Sequence, residues 1–337
     1  MKAFVSLLAA ALLAHGAGAR AATTTNGDVA LANLDLLIAQ HGEPAGAEDL
    51  LLTRSRFFAD YDALRRAARL ADEPAADATA LVRRARVRAA VHRFSEALDD
   101  VRAAEARGVS PADTLLLRAS IASALARVQP LLPELESLAR DTPSYAAFGA
   151  LAAAYASVSR FEDADRAFQD ALDRLDTTSP FPYAYLWFAR GTMWAEQAHD
   201  PDRGESGLRR ALDYLPGYVQ ANIHLAELEI AHGERDSASR RLARVAGSRE
   251  PEVLALLARL RADAPDHAAP QIEAARARFD SLLGALPLAF ADHAAEFYLA
   301  EGNDPERALM LARLNVSNRD TPRARDLVER AQARVKP

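Results

Sequence analysis

The chain contains no cysteine. That removes disulfides, thiolate metal sites, a cysteine nucleophile and the acylated cysteine of a lipid anchor. Lysine is nearly absent as well. Lys2 and Lys336 are the only two, so arginine carries the positive charge. Aromatic residues amount to 7%, few for a protein built of strands. Beyond the N-terminus no apolar run approaches the roughly eighteen residues of a membrane-spanning helix. Catalytic signatures are missing too: there is no G-x-S-x-G, no H-E-x-x-H, no P-loop and no G-x-G-x-x-G behind a strand. "RGESG", Arg203 to Gly207, resembles a nucleophile elbow only in outline and is expected in a helix-pair turn.

What is present favours helix. Half of the 337 residues are hydrophobic and alanine is abundant, and alanine is the best helix former and allows close helix approach. The length suits a sizeable core. Acids outnumber bases, 47 to 41, for a net charge of −6, and the two signs are interleaved. The most basic stretch, "LVRRARVRAAVHR", is followed at once by "EALDD", which reads as a charged helix face and not as a phosphate-binding surface. No nucleic-acid partner is expected.

The N-terminus has Lys2, an apolar run from Ala3 to Leu13 and the small-x-small triplet Ala19-Arg20-Ala21. It reads as a secretory signal peptide, residues 1–21, cleaved near Ala21 and too short for a stable membrane span. Loss of Lys2 and Arg20 would take the net charge from −6 to −8. A periplasmic protein, or one released from the cell, is the expectation, with no stable membrane insertion after cleavage.

The stretch "AYASVSRFEDADRAFQDALDRL", Ala154 to Leu175, sets the architecture. Helical spacing predicts one helix over about Ser144 to Val158, with Phe148, Leu151, Ala152 and Tyr155 on one stripe. A second is predicted over about Glu162 to Leu175, with Ala164, Phe168, Ala171 and Leu172. The join is too short for anything but an antiparallel pair. Ala152 and Ala164 are small where the two backbones must approach. The same spacing recurs along the chain. Second-helix anchors fall at 63, 97, 131, 164, 204, 238, 275 and 308, in steps of 34, 34, 33, 40, 34, 37 and 33. A period near 34 built of helix pairs is a repeat signature.

The pattern resembles the tetratricopeptide repeat (TPR). The best copy carries it on Phe148, Leu151, Ala152, Tyr155, Phe161, Ala164, Phe168 and Ala171. "RRALDYLPGY", with Ala211 and Pro216, and Leu225, Ala226 and Gly233 carry it further on. Arg118 stands where the family prefers leucine. The resemblance implies an all-α protein, a right-handed α-solenoid of about eight helix pairs with capping helices. Residues 22–46 are expected to form a linker and a capping helix, Asn26 to Gln40, with Gly42 just past its end. Residues 47–318 form the solenoid, least regular at 47–76 and at 250–286, where "RADAPDHAAP" lengthens a loop. Residues 319–337 hold a charged C-terminal capping helix, as terminal repeats require a polar cover.

In this family the first helix of each pair lines the concave side. Carried over, one row is Val82, Leu116, Gly149, Phe188, Ile223 and Ala255, continuously apolar or small. The adjoining row is Arg86, Ser120, Ala153, Thr192, Glu227 and Arg259, polar at both ends. Tyr185 and Trp194 add aromatic surface. Such a strip suits an extended peptide or an amphipathic partner helix. The expected protein-binding groove is therefore Val82, Arg86, Leu116, Ser120, Tyr185, Phe188, Thr192, Ile223 and Glu227. Arg86 lacks the companions needed to clamp a peptide's C-terminal carboxylate.

The expected function is an exported, non-catalytic scaffold that binds a protein or peptide, in assembly or maintenance of a cell-envelope or secretion system. The alternative is a small-ligand or enzymatic pocket near Tyr185, Trp194, His224 and Glu227. His224 and Glu227 lie one turn apart, with His232 at the helix end, and "HDPDRGE" is an acidic loop. His224 and Glu227 could share a metal, with His232 too far along to join, and the loop could take Ca²⁺, but a groove histidine and a loop of solvated charges are the expected readings. His293 and Glu296 read as an ordinary i, i+3 pair. No cofactor and no metal are expected.

Overall fold

The computed structural model describes residues 25–41 and 47–335. The expected signal peptide and Gly42 lie outside the described residues. The first helix is α1 (Asn26–His41). Seven antiparallel pairs and one looser pair follow: α2 (Glu48–Phe58) with α3 (Tyr61–Leu70), α4 (Ala78–Ala90) with α5 (Phe94–Ala106), and α6 (Pro111–Ala124) with α7 (Leu132–Asp141). Next come α8 (Tyr145–Ser157) with α9 (Phe161–Asp173), α10 (Pro180–Thr192) with α11 (Pro201–Tyr214), and α12 (Val219–Ala231) with α13 (Arg235–Val245). The last pairs are α14 (Pro251–Arg259) with α15 (Pro265–Ala285) and α16 (Pro287–Leu299) with α17 (Pro305–Asn318), and α18 (Pro322–Val335) packs on α17 and α16. The described residues form an all-helical solenoid.

Local chemistry starts and stops these helices. Asp60, Asp77, Ser144, Asp200 and Asp304 each accept a backbone N–H from the first turn of the helix they precede. Proline sits at the start of α6, α11, α14, α16 and α17, where its missing N–H has no partner to lose. "RGESG" lies inside α11 and not in a turn, so its glycines serve packing. Proline also explains the lengthened seventh loop, which is shorter than expected: Pro265 starts α15, and Pro270 is accommodated within it.

The turn inside every pair but the seventh holds one residue in the left-handed region: Ala59, His92, Ala126, Ser159, His199, Gly233 and Asn303. After it the chain folds back onto the first helix. The amides of Arg93, Arg127, Arg160 and Glu234 donate to carbonyls five residues earlier, at 2.7–2.9 Å. These bonds satisfy carbonyls that the helix end would leave open. Only one of the seven turn residues is glycine.

Each pair closes on small residues. Ala152 and Ala164 are both fully buried. The fifth pair is tighter still. A Cβ on Gly207 would stand 2.7 Å from Gly191 Cα, and one on Gly204 would stand 2.5 Å from Ala195 Cβ. The third pair is the exception: α6 packs chiefly on α8 and only slightly on α7. Arg118, in the leucine position, donates to the Pro111 carbonyl (3.1 Å) and reaches Glu134 (3.4 Å) and Glu105 (3.6 Å). An ion cluster occupies that position.

Arginine's dominance also has a structural use. The fork of Arg190 donates to Asp165 (2.6 and 2.8 Å) and that of Arg241 to Glu229 (3.0 and 2.6 Å). Arg84 and Arg88 both hold the buried Asp100. Planar two-point donation of this kind is beyond lysine. In the basic stretch, Arg83 faces Glu48 and Arg86 faces Asp49, so its charge is spent within the chain.

The two ends of the solenoid meet. Phe57 of α2 packs its ring on Phe181 and Tyr218 at 4.9 and 4.8 Å. Tyr61 of α3 stands edge-on to Phe290 of α16 at 4.9 Å, and its hydroxyl donates to the buried Glu250. Arg65 donates to Ser281, and Asn318 donates to the His92 carbonyl (3.0 Å). Ala59, Tyr61 and Leu64 share one buried cluster with Ile223, Val253 and Phe290. The first repeat thus lies against the inner side of repeats five to eight.

Two stability outcomes follow. Gly207→Ala should cost at least about 2 kcal/mol in denaturant unfolding, because backbone faces the new methyl, although alanine gains about 1 kcal/mol of helix propensity. Ala126→Gly should instead raise stability by about 0.5–1 kcal/mol, relieving a left-handed alanine at the usual entropic cost of glycine. A neutral Gly207→Ala would refute the close helix contact, and a destabilising Ala126→Gly would refute turn strain.

Candidate protein-binding groove

The expected groove residues sit on the first helices of successive pairs, but they do not form one open strip. In repeats two and three, Val82 and Leu116 are half-buried, while Arg86 and Ser120 are exposed. Arg86 meets Asp49 at 3.3 Å. In repeats five and six the apolar row is covered. Ile223 is 2% exposed and belongs to the shared cluster beneath the first repeat. Phe188 packs on Tyr218 at 4.9 Å. Ala255 is buried too. The reason is the winding: repeat one returns against repeats five to eight and buries the row that local pattern left open. Thr192 donates its hydroxyl to the Phe188 carbonyl (3.1 Å), and Tyr185 stays exposed beneath the guanidinium of Arg56.

The alternative pocket does not assemble. Trp194 is buried, its indole N–H donates to Asp165 (2.7 Å), and Arg203 lies over its ring at 3.1 Å. Its edge and its face are both taken within its own repeat and the one before. A cavity of about 250 Å³ opens elsewhere, between α1, α2 and α3, lined by Asp35, Arg54, Asp60, Asp62 and Arg249 among others. Its charges are matched internally: Arg54 with Asp35 and Asp60, Arg249 with Asp62. Among the described residues no group of three His, Cys, Asp or Glu is placed to hold a metal. None of the described helices is long and apolar enough to cross a membrane.

The open edge of repeats five to eight carries titratable groups instead. The chain between α10 and α11 makes a π-helical turn, Met193–Gln197. It sends Trp194 into the core and lets Glu196 reach His224 Nδ1 (2.7 Å) and Arg323 (3.2 Å). Burial alone would raise the Glu196 carboxyl, yet His224 and Arg323 hold it down to about 2. Burial would likewise lower His224, but the bond and charge of Glu196 outweigh it and raise the imidazole. Glu227, 3.6 Å from His224, is raised, chiefly by burial, and 45% of its side chain still meets solvent. One repeat on, Arg259 holds Glu301 at 2.6 Å.

His293 is a correction. Its partner is not Glu296, which pairs with Arg330 at 2.5 Å, but Glu252 of α14, at 2.6 Å from Nδ1. Asp292 and Glu252 raise its imidazole to about 10. Glu196, Glu250, Glu252 and His92 escape motif reading altogether, since their partners are distant in sequence. One signal was present: His224 and His293 each stand two residues before a small first-helix anchor, Ala226 and Ala295.

The raised His293 contributes stability that is complete below the ordinary histidine value of 6.5 and is lost as pH rises through about 10. With 45% of the side chain exposed, screening keeps the effect modest. An NMR titration of the ring should place its midpoint well above 6.5, and Glu252→Gln should bring it down. A wild-type midpoint at the ordinary value would refute the pair.

A sequence model of the tetratricopeptide repeat matches residues 195–260. No curated protein matches the chain. Among solved structures, a Rap protein complexed with competence and sporulation factor superposes with a TM-score of 0.52 at 17% identity, over 90% of this chain and 94% of that one. A chain of the APC/C hetero-tetramer Cut9–Hcn1 gives 0.48 at 16% identity, covering 84% of this chain and 62% of its own length. A tetratricopeptide repeat protein from Parabacteroides merdae gives 0.44 at 15% identity, over 76% and 98%. Residues 195–260 thus match a tetratricopeptide repeat in sequence, and helix pairs at a period near 34 continue the same architecture along the chain.

Proposed function

We propose that the chain is an exported, non-catalytic scaffold that binds another protein or an extended peptide along its inner face, serving assembly or maintenance of a cell-envelope or secretion system. The repeat fold supports protein binding, by analogy of fold. The export component rests on Lys2, the Ala3–Leu13 run and Ala19-Arg20-Ala21. One observation carries the binding reading. Repeat one covers the apolar row at Ile223, while Val82, Leu116, Ser120 and Ala153 keep solvent access on the first helices of repeats two to four. A partner has a half-apolar, weakly charged strip there.

Crosslinking the protein in its native envelope tests this. Ser120→Arg with Ala153→Arg fills the strip at two exposed positions without touching the core. Loss of a discrete captured partner in that variant, with unchanged circular dichroism, is the expected result. Capture unaffected by it would move binding to the outer helices.

A further inference from the structure

We propose that Arg56 and Tyr218, with the Tyr185 ring as a platform beneath the guanidinium, bind an acidic side chain carried on a partner protein. This rests on the protein-binding reading above and adds a second contact to it, where repeat one meets repeats five and six.

Three elements build the site. On α10, Phe181, Tyr185 and Phe188 follow at steps of four and three and share one helix face. The end of α2 lies along that face. Phe57 packs on Phe181 at 4.9 Å, and its neighbour Arg56 stands over the Tyr185 ring at 5.2 Å. Tyr218, just ahead of α12, closes the group, its ring 4.8 Å from Phe57 and 4.9 Å from Phe188. Phe57 and Tyr218 are buried, whereas Arg56 is exposed and Tyr185 is 41% exposed.

Two groups here are unspent. Tyr218 is 1% exposed, yet its hydroxyl makes no hydrogen bond among the described residues. Tyr61, Tyr155, Tyr183 and Tyr298 all donate theirs. Phenylalanine would fill the same space with no polar group to desolvate. Arg56, for its part, has no carboxylate partner among the described residues and lies over the Tyr185 ring instead. Its neighbours Arg54, Arg83 and Arg86 all face carboxylates. Burial raises the Tyr218 hydroxyl above its ordinary value, and Arg56 and Tyr185 are the ionisable groups that act on it. The hydroxyl is a donor at neutral pH.

A planar fork beside an O–H donor matches a carboxylate. The guanidinium takes both oxygens, and the phenol takes a remaining lone pair. Apolar rings behind the pair strengthen such bonds by excluding water from one side. The Tyr185 side is open, so a free small acid would find little cover. A carboxylate carried on a polypeptide brings further contact area with it.

The probe is a pool of decapeptides, each with one glutamate in a mixed neutral sequence, acetylated and amidated so that end charges play no part. The control pool carries glutamine instead. Ring signals of Tyr185 and Tyr218 are followed by NMR. Expected are shifts at both rings with the glutamate pool, and affinity at least about tenfold weaker for the glutamine pool and for Arg56→Gln. Tyr218→Phe should bind more weakly while melting at or above the parent temperature, since its hydroxyl has no internal partner to lose. Equal binding of the two pools, full affinity in Tyr218→Phe, or a lower melting temperature for that variant would overturn the inference. So would acetate alone binding as tightly as the pool, binding only when the peptide C-terminus is left free, or no shift at either ring. None of these outcomes touches Ser120 or Ala153, so the strip on repeats two to four is decided by the crosslinking experiment alone.

Discussion

Everything in this molecule depends on two helix backbones being allowed to touch. Ala152 against Ala164, and Gly191 against Gly204 and Gly207, remove the side chains that would hold the helices apart. Close approach fixes the angle of each pair, and a fixed angle repeated about eight times fixes the curvature. Because each repeat is a copy of the last, a small change at one contact is added up around the whole turn. Arg118 shows the converse. With an ion cluster in place of a leucine, α6 leans on the next repeat and its own pair loosens.

The curvature in turn decides which surface is available. The solenoid winds far enough for Phe57, Tyr61 and Leu64 to land on repeats five to eight, and the apolar row at Ile223 is consumed as core. Burying that row contributes stability that an open groove would forgo. What remains open is divided into a half-apolar strip on repeats two to four and an edge of histidines and carboxylates on repeats six to eight. These are different chemistries on one inner face, and they come from one packing event.

The charged groups follow the same rule. Carboxylates inside the helix pairs, Asp100, Asp165 and Glu229, are met by forked arginines, so desolvation is offset by paired hydrogen bonds. Glu196 and Glu252, along the open edge, are met by the imidazoles of His224 and His293. The near absence of lysine reads as a consequence of this arrangement: point charges cannot make the two-point contacts that hold the pairs together.

The sequence by itself determined the helices, their pairing and the period, because small residues and apolar stripes at helical spacing act over a few turns and leave a local trace. It also placed Val82, Arg86, Leu116 and Ser120 on first helices with solvent access. It did not reveal the left-handed turn residues, since Ala126 or Ser159 carries no glycine signal and the conformation is imposed by the two helices it joins. Nor did it reveal the burial of Ile223, the bond from Tyr61 to Glu250 or the partner of His293. Those depend on segments brought together only when the repeats have summed their curvature, a quantity no single repeat encodes.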